Sequence, residues 1–197
     1  MELKKTKSKI LLHTCCAICG ANLIKLLKKD FLPYIFFYNP NIHPKTEYEK
    51  RKESAKKLAQ IYNIPFIEGH YRPKEWFKLT KGYENEPEGG KRCLICFKMR
   101  LLGAAKFAKD KKIKYFSTTL LTSPYKDEKI IGNIGKEIAK NFGEIKFLTL
   151  SDLKINKTIN WQKTKILSKI YNFYHQKYCG CIFSMRDNPK TSKKATK

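Results

Sequence analysis

The chain has 197 residues, of which 42% are hydrophobic, 13% aromatic and 30% charged, with a formal net charge of +25 at pH 7. This length suits one compact domain, and the aromatic content excludes a disordered chain. The positive charge favours a polyanionic partner, with nucleic acid as the obvious candidate, although a lysine-rich composition alone explains it equally well.

Short hydrophobic segments alternate with amphipathic ones from the N-terminus onward. The basic N-terminal segment runs into a strand-like sequence without a signal-peptide core, and no apolar run approaches the roughly 20 residues of a membrane span. We therefore predict a cytoplasmic protein without a membrane segment. Strands are predicted at residues 10–13, 33–38, 64–68, 114–119 and 145–150. Helices are predicted at residues 21–29, 46–62, 94–109, 127–141 and 161–174, with Thr46 as the N-cap of the second.

The alternation of strands and helices predicts a single α/β domain over residues 1–186, built on a mostly parallel sheet. Residues 72–91 are predicted to be irregular because prolines and a Gly-Gly pair fall there, and residues 187–197 to form a disordered basic tail. Ligands of parallel sheets bind beyond the carboxyl ends of the strands, where the loop after His13 falls. The sequence has neither GxGxxG nor GxxxxGK[ST], so neither an NAD nor a P-loop site is expected.

The seven cysteines fall into three clusters, with none isolated: Cys15-Cys16 with Cys19, Cys93 with Cys96, and Cys179 with Cys181. In a cytoplasmic protein such clusters indicate metal or redox chemistry. A CxxC at the start of a helix, joined by a second pair, fits a four-cysteine zinc site or an iron–sulfur cluster. Adjacent cysteines favour the cluster, because each sulfur can then take an iron atom of its own.

The Cys179-Gly180-Cys181 segment differs from the other two clusters. Gly180 gives the backbone the freedom to bring two sulfurs together. Such a pair is either a strained, reducible disulfide or a set of ligands for a second metal, and the residues alone leave both open.

Five motifs, in order, resemble the QueH-type epoxyqueuosine reductases. They are HTCCAIC at residues 13–19, FYNPNIHPKTEYEKR at 37–51, RCLICFKMRL at 92–101, TTLLTSPY at 118–125 and YCGCIFS at 178–184. Ile18 departs from the pattern, since the family usually has proline there. The resemblance implies a Rossmann-like domain related to the adenine-nucleotide α-hydrolase and PP-loop group, with the cysteine loops at the C-terminal edge of the strands.

The resemblance also implies an activity, the final step of queuosine biosynthesis. A cobalamin-independent oxidoreductase would remove the epoxide oxygen of epoxyqueuosine, at the wobble position of tRNA, with two electrons from a donor that the sequence does not identify. By the same resemblance Cys15, Cys16, Cys93 and Cys96 hold a [4Fe-4S] cluster. Cys179 and Cys181 would form a redox-active disulfide. Cys19, at a position where some members carry Asp, is either a ligand of an additional iron or a thiol without a role in the site.

Other residues of these motifs are candidates for proton transfer and substrate binding. His13, at the end of the first strand, is expected to donate a proton or a hydrogen bond to a cluster sulfur. The substrate-binding candidates are Tyr38, Asn39, Asn41, Arg51, Ser123 and Tyr125. Structural roles compete with these, such as an Asn/Pro turn or a surface i,i+4 pair of Glu47 with Arg51. Arg92 and Arg100, which flank the CxxC, are expected either to balance thiolate charge or to grip phosphate.

Two other functions compete with a reductase. A PP-loop-like tRNA thiolase needs an SGGxDS-type phosphate loop after the first strand, and the cysteine loop stands in its place, so ATP is not expected. A zinc-stabilised RNA-binding module explains the charge and one CxxC, but neither the adjacent cysteines nor the CxC pair.

Overall fold

The structure is a computed structural model that describes residues 6–185. The predicted tail and the predicted domain end at residue 186 lie outside this range. Within it, five parallel strands form one sheet in the order β3-β2-β1-β4-β5. They are β1 (Ser8–His13), β2 (Phe31–Phe37), β3 (Phe66–Glu68), β4 (Tyr115–Thr118) and β5 (Lys146–Phe147). Ile10, Leu11 and Leu12 of the central strand β1 are all fully buried, as expected when helices cover both faces.

Helices connect the strands. They are α1 (Ala17–Leu27), α2 (Lys45–Tyr62), α3 (Pro73–Leu79), α4 (Lys91–Asp110), α5 (Glu128–Lys140) and α6 (Lys157–Ile170), with short 3-10 turns at Thr119–Thr122 and Ile182–Met185. Helix α1 packs against α2 and α6, and α4 packs against α5. Right-handed crossovers place α1 and α2 on one face of the sheet and α4 and α5 on the other. In the range 6–185 none of the helices is both long and apolar enough to cross a membrane.

The strand order reverses between β1 and β4, which are neighbours in the sheet. Connections that leave such neighbours run to opposite faces, and the crevice between them is where α/β sheets bind ligands. Here the loop Thr14–Cys16 follows β1 and the turn Thr119–Thr122 follows β4. The two are joined by a hydrogen bond from the amide of Cys15 to Oγ1 of Thr119, at 3.3 Å.

The α/β class and the parallel sheet are confirmed, but several local predictions are wrong. Residues 72–91 are not irregular throughout, because they contain α3. Pro73 occupies the first turn of that helix, where its missing N–H costs nothing. Thr46 is not the N-cap of α2, since the helix begins at Lys45 with Pro44 in the cap position.

Several element boundaries also move, three of them near the site or by several residues. Helix α1 begins at Ala17 rather than 21, which places Cys19 on the helix. Helix α6 begins at Lys157, after an N-cap at Asn156 whose side chain accepts a hydrogen bond from the amide of Ile159. Strand β5 is only two residues long, although 145–150 was predicted.

Candidate functional site

The first cysteine cluster lies at the crevice between β1 and β4. Cys15 and Cys16 belong to the loop after β1, and Cys19 lies in the first turn of α1. The sulfurs of Cys15 and Cys16 are 4.0 Å apart. Cys16 and Cys19 both hydrogen bond to Cys15, so the three thiols form one group.

The second cluster lies on the first turns of α4. Cys93 and Cys96 are three residues apart on this helix, so both face the same side. The amide of Gly89 donates a hydrogen bond to the sulfur of Cys93 at 3.2 Å. Cys96 is buried in an apolar group with Trp76 and Met99 that also contains Cys181 of the third cluster.

The third cluster follows α6 and is held by Arg51 of α2. The guanidinium of Arg51 donates to the carbonyls of Tyr178 and Cys179, each at 2.9 Å. Its Nε is 2.7 Å from a carboxylate oxygen of Glu47. Arg51 is only 1% exposed, so the Glu47–Arg51 contact is a buried ion pair and not the surface pair that the spacing allowed.

Cys15, Cys19 and Cys179 line one cavity of about 440 Å³, which we call the cysteine cavity. Arg51, Ser123, Tyr125, Lys126 and Gln176 are also part of its lining. Cys93 and Cys96 lie close enough to Cys179 and Cys181 for their charges to interact. The structure therefore brings the three clusters together. All seven cysteines are free thiols in the described residues.

The first cluster is arranged to carry one negative charge. Hydrogen bonds from Cys16 and Cys19 hold the pKa of Cys15 well below its usual value. The hydrogen bond between Cys16 and Cys15 raises the pKa of Cys16 to about 12. Burial raises the pKa of Cys96 to about 12 and also that of Cys93. A bound cation reverses this order, because coordination favours every ligating thiol as a thiolate.

The donor set fits an iron–sulfur cluster. Soft thiolates from two segments, Cys15-Cys16 and Cys93/Cys96, are ligands that such clusters use. Arg100, 1% exposed, adds a positive charge that interacts with both Cys15 and Cys96. Across residues 6–185, no three His, Cys, Asp or Glu side chains are grouped as one metal ion requires. A cluster spreads its ligands over several iron atoms and does not need that grouping.

His13 is turned toward the strand ends. Its Nδ1 is 2.7 Å from Oγ1 of Thr118, and its Nε2 is 3.1 Å from the carbonyl of Tyr38. Burial and the charge of Arg100 lower its pKa to about 3. The imidazole is therefore neutral at pH 7, and its contacts favour a structural role in joining β1, β2 and β4 over proton donation.

The predicted substrate-binding residues separate into two groups. Arg51, Ser123 and Tyr125 line the cysteine cavity, and Tyr125 is 84% exposed. Tyr38, Asn39 and Asn41 are not part of that lining. The ring of Tyr38 packs on Gly69 and Gly103, beside a different cavity.

Asn39 is buried and works as a brace. Its Nδ2 donates to the carbonyl of Thr14 at 2.9 Å, and its Oδ1 accepts from Arg100 at 2.9 Å. Asn41 is also buried, and its side-chain oxygen has no hydrogen-bond partner in the described residues. Arg92 donates to the carbonyls of Tyr83 and Glu84 and thus holds the segment before α4.

Comparison with known proteins decides the family. The family model described as "Epoxyqueuosine reductase QueH" matches residues 10–187, nearly the whole chain. The chain belongs to the QueH family.

Several curated QueH proteins are similar to this chain over most of their length. The Acinetobacter baylyi protein, named epoxyqueuosine reductase QueH, is 41% identical over 194 residues, which cover 95% of this chain and 85% of that one. The protein of the same name from Thermotoga maritima is 38% identical over 179 residues, covering 89% and 90%. Among solved structures, the U34-tRNA thiolase NcsA from Methanococcus maripaludis with its [4Fe-4S] cluster aligns at a TM-score of 0.58. It covers 96% of this chain and 65% of its own, and at 14% identity it shows the shared fold only.

Lys126 and Gln176 of this QueH chain contact cysteine sulfurs but were not predicted as site residues from the sequence. Lys126 donates to the sulfur of Cys179 at 3.2 Å, and Gln176 donates to the sulfur of Cys16 at 3.2 Å. Lys126 is one of 42 lysines and arginines, so its residue type carries no signal. Its position directly after the TTLLTSPY motif is the only hint in the sequence.

Proposed function

We propose that this chain is an epoxyqueuosine reductase that acts on tRNA and produces queuosine, the last step of queuosine biosynthesis. The observation that carries the proposal is that two cysteine clusters line one cavity and the third lies beside them, in a chain of the QueH family. The cavity's volume of about 440 Å³ lies in the range of small-ligand sites. It lies at the crevice beyond the strand ends, where α/β proteins place their ligands.

The reaction needs two electrons and two protons, which convert an epoxide into an alkene and water. A Cys179/Cys181 dithiol releases that number of each when it closes to a disulfide. An electron donor then reduces the pair for the next turnover. No step calls for cobalamin, NAD or ATP, and the dithiol chemistry suits a reducing cytoplasm.

The remaining cysteines are assigned to metal. Cys15, Cys16, Cys93 and Cys96 would hold a [4Fe-4S] cluster, and Cys19 would bind an additional iron. When bound, these groups supply single-electron transfer and a Lewis acid for the epoxide oxygen. The guanidinium of Arg100 offsets thiolate charge from beneath the site, and Gln176 donates to Cys16.

The tRNA would reach the site past Tyr125. This exposed aromatic ring belongs to the lining of the cavity, and unpaired bases of RNA loops stack on such rings. The net charge of +25 attracts the phosphate backbone without regard to sequence. Tyr125 and the lysines thus contribute different parts of tRNA binding, one local and one long-range.

Single substitutions of the CxC pair test the proposal. Cys179→Ser and Cys181→Ser, purified without oxygen, are expected to keep the iron content and the visible absorbance of the cluster. Both are expected to lose multiple-turnover conversion of epoxyqueuosine, measured by mass spectrometry of tRNA nucleosides, because one sulfur cannot close a disulfide. Thiol labelling before and after reduction should map two additional reactive thiols to these positions.

Two results would contradict this assignment. Loss of iron in either serine variant would make the pair metal ligands instead of a redox couple. A wild-type protein that is colourless and contains only zinc would refute the reductase itself, because zinc has no redox chemistry.

A further inference from the structure

Lys126 is a lysine that the fold directs into the cysteine cavity. Its side chain is 12% exposed, and its Nζ lies 3.2 Å from the sulfur of Cys179. An ammonium group withdrawn from water to this degree is costly unless it is paired. Its other charged neighbour is Glu88, at 3.9 Å and itself 39% exposed, which is a weak pairing. The sulfur of Cys179 is thus the main partner of this charge.

The ammonium is held in place from several directions. Its own backbone carbonyl accepts a hydrogen bond from Nζ of Lys157 at 2.9 Å. The ring of Phe97 on α4 lies 6.0 Å below Nζ. Glu88 stands next to Gly89, whose amide donates to Cys93. Lys126 therefore connects the loop after β4, the segment before α4 and the CxC pair, and it does so at the redox sulfur.

We propose that Lys126 is the positioning residue that favours the reactive thiolate form of Cys179 in the Cys179/Cys181 pair, an inference that rests on the proposed function for the pair's role. Cys179 is the partly exposed member and lines the cavity, whereas Cys181 is 7% exposed among Trp76, Cys96 and Met99. The attacking or electron-donating sulfur is thus the one beside the lysine.

The electrostatics of the pair agree with this geometry. Burial raises the pKa of Cys179 above its usual value, and the positive charges of Lys126 and Arg100, with the hydrogen bond from Lys126, limit that rise. Burial alone would lower the pKa of Lys126, but the Cys179 thiolate outweighs it and raises that pKa above its usual value. Without the ammonium, burial and the charge of Glu88 raise the pKa of Cys179 and only the charge of Arg100 opposes them. The pKa of Cys179 must then rise further, and the thiolate becomes scarcer at neutral pH.

The chemistry balances with this assignment. Closing the disulfide from the Cys179 thiolate and the Cys181 thiol forms one S–S bond and releases two electrons and one proton. The second proton is the one that Cys179 gave up on becoming a thiolate. Together they match the two electrons and two protons that the epoxide consumes, and Lys126 stays protonated throughout. A dithiol reductant restores both thiols.

The test measures the reactivity of Cys179 alone, in holoenzyme that carries Cys181→Ser so that no disulfide can form. Iodoacetamide labelling of the Cys179 peptide is followed by mass spectrometry from about pH 7 to about pH 11, because burial raises the pKa of this thiol. Lys126→Met and Lys126→Gln are expected to raise the midpoint of the labelling rate by about one unit or more, equal to a roughly tenfold slower reaction at neutral pH. Lys126→Arg should restore the midpoint because it keeps the charge.

Lys52→Met is the matched control. Lys52 is 13% exposed and paired with Glu49 at 2.6 Å and Glu68 at 3.2 Å, so it is equally withdrawn but not part of the cavity lining. Its loss should leave the midpoint unchanged. An unchanged midpoint in both neutral Lys126 variants overturns the inference, whatever their iron content.

Failure of the proposed function would look different. If wild-type enzyme does not convert epoxyqueuosine but Lys126→Met still shifts the midpoint, the lysine–thiolate pair stands and the reductase does not. If wild-type enzyme converts epoxyqueuosine but the labelling midpoint of Cys179 is unchanged in the neutral Lys126 variants, the reductase activity is supported and the role of Lys126 is refuted.

Discussion

Replacement of Gly180 by alanine should damage the CxC pair through a steric conflict that the structure makes explicit. Gly180 has a φ of +128°, a conformation that residues with a side chain rarely adopt. A Cβ built there would lie 3.0 Å from Nη1 of Arg51 and 3.1 Å from Cγ1 of Ile42. Arg51 has little room to retreat, because the same Nη1 donates to the carbonyl of Cys179.

Two costs add in this variant. Holding a non-glycine residue at such a φ costs about 1–3 kcal/mol. Displacing the guanidinium weakens a charged hydrogen bond to the CxC backbone, which contributes about 1.5–3 kcal/mol. Gly180→Ala should thus lower the free energy of unfolding by roughly 2.5–6 kcal/mol.

Gly143 provides the matched control. Its φ is also positive, at +71°, but a Cβ there would have no atom within 4 Å. Gly143→Ala therefore introduces backbone strain without a steric clash between the new Cβ and a neighbouring side chain. Since 1 kcal/mol shifts the melting temperature of a chain this size by about 2–4 °C, Gly180→Ala should melt about 3–12 °C below Gly143→Ala. Anaerobic thermal unfolding of the two holoproteins measures the difference.

Equal melting temperatures for the two variants would refute the reasoning, because they would show that Arg51 and Ile42 do not oppose a side chain at this position. The double variant Gly180→Ala with Arg51→Ala offers an independent check. If the conflict with the guanidinium is real, the two substitutions must be non-additive, since the second removes the group that the first displaces.

Two further predictions concern the metal and the tRNA. Cys93→Ala and Cys96→Ala should each lose iron and lower the melting temperature, because metal binding is coupled to folding, whereas Cys19→Ala should keep the cluster absorbance; unchanged iron per chain in both α4 variants would show that the ligand assignment is wrong. The tRNA affinity should fall linearly with salt concentration on a log–log plot. Tyr125→Ala should weaken tRNA binding by about 1–3 kcal/mol without changing the slope of that plot. Ile166→Ala, a control at an exposed position on α6, should leave the tRNA affinity unchanged. A flat salt response would make the lysine content unrelated to RNA.

The parallel sheet was predictable because its signal is local. Each strand is a short apolar run bounded by breakers, and the alternation with amphipathic helices allows few arrangements. The first residues of the helices were not predictable from local sequence, because tertiary packing determines where these helices begin. Pro73 signals a break in sequence, yet it begins α3, whose Trp76 is completely buried. Thr46 has a side chain that often caps helices, but α2 already begins at Lys45, so Pro44 occupies the N-cap position.

The same division separates the predicted from the missed site residues. The cysteine clusters are visible as spacing within a few residues, so their grouping needed no structure. Lys126 and Gln176 meet their cysteines from 53 and 160 residues away. Contacts at such separations leave no pattern in one sequence, and a lysine among many has no distinguishing residue type.

The motif at residues 37–51 contains no cysteine, and its contacts explain why it accompanies the cysteine loops. At one end, Asn39 bonds the carbonyl of Thr14, just before Cys15, and also receives a hydrogen bond from Arg100 of α4. The loop after β2 thereby sets the path of the first cysteine loop relative to the helix that carries the second cluster.

At its other end the motif clamps the third cluster. The amide of His43 donates to the carbonyl of Gly180 at 2.8 Å, and the hydroxyl of Tyr178 donates back to the carbonyl of His43. Arg51 donates to the two preceding carbonyls, those of Tyr178 and Cys179. The substrate candidates Asn39 and Arg51 thus act on the backbone of two cysteine loops. Polar side chains that bond the backbone of a loop, and not its cysteine sulfurs, fix the loop without competing for those sulfurs. Cys15, Cys93 and Cys179 lie far apart in the chain, and each sulfur is positioned by the backbone of the loop or helix that carries it. Hydrogen bonds that fix those backbones relative to one another are therefore needed to hold the sulfurs together.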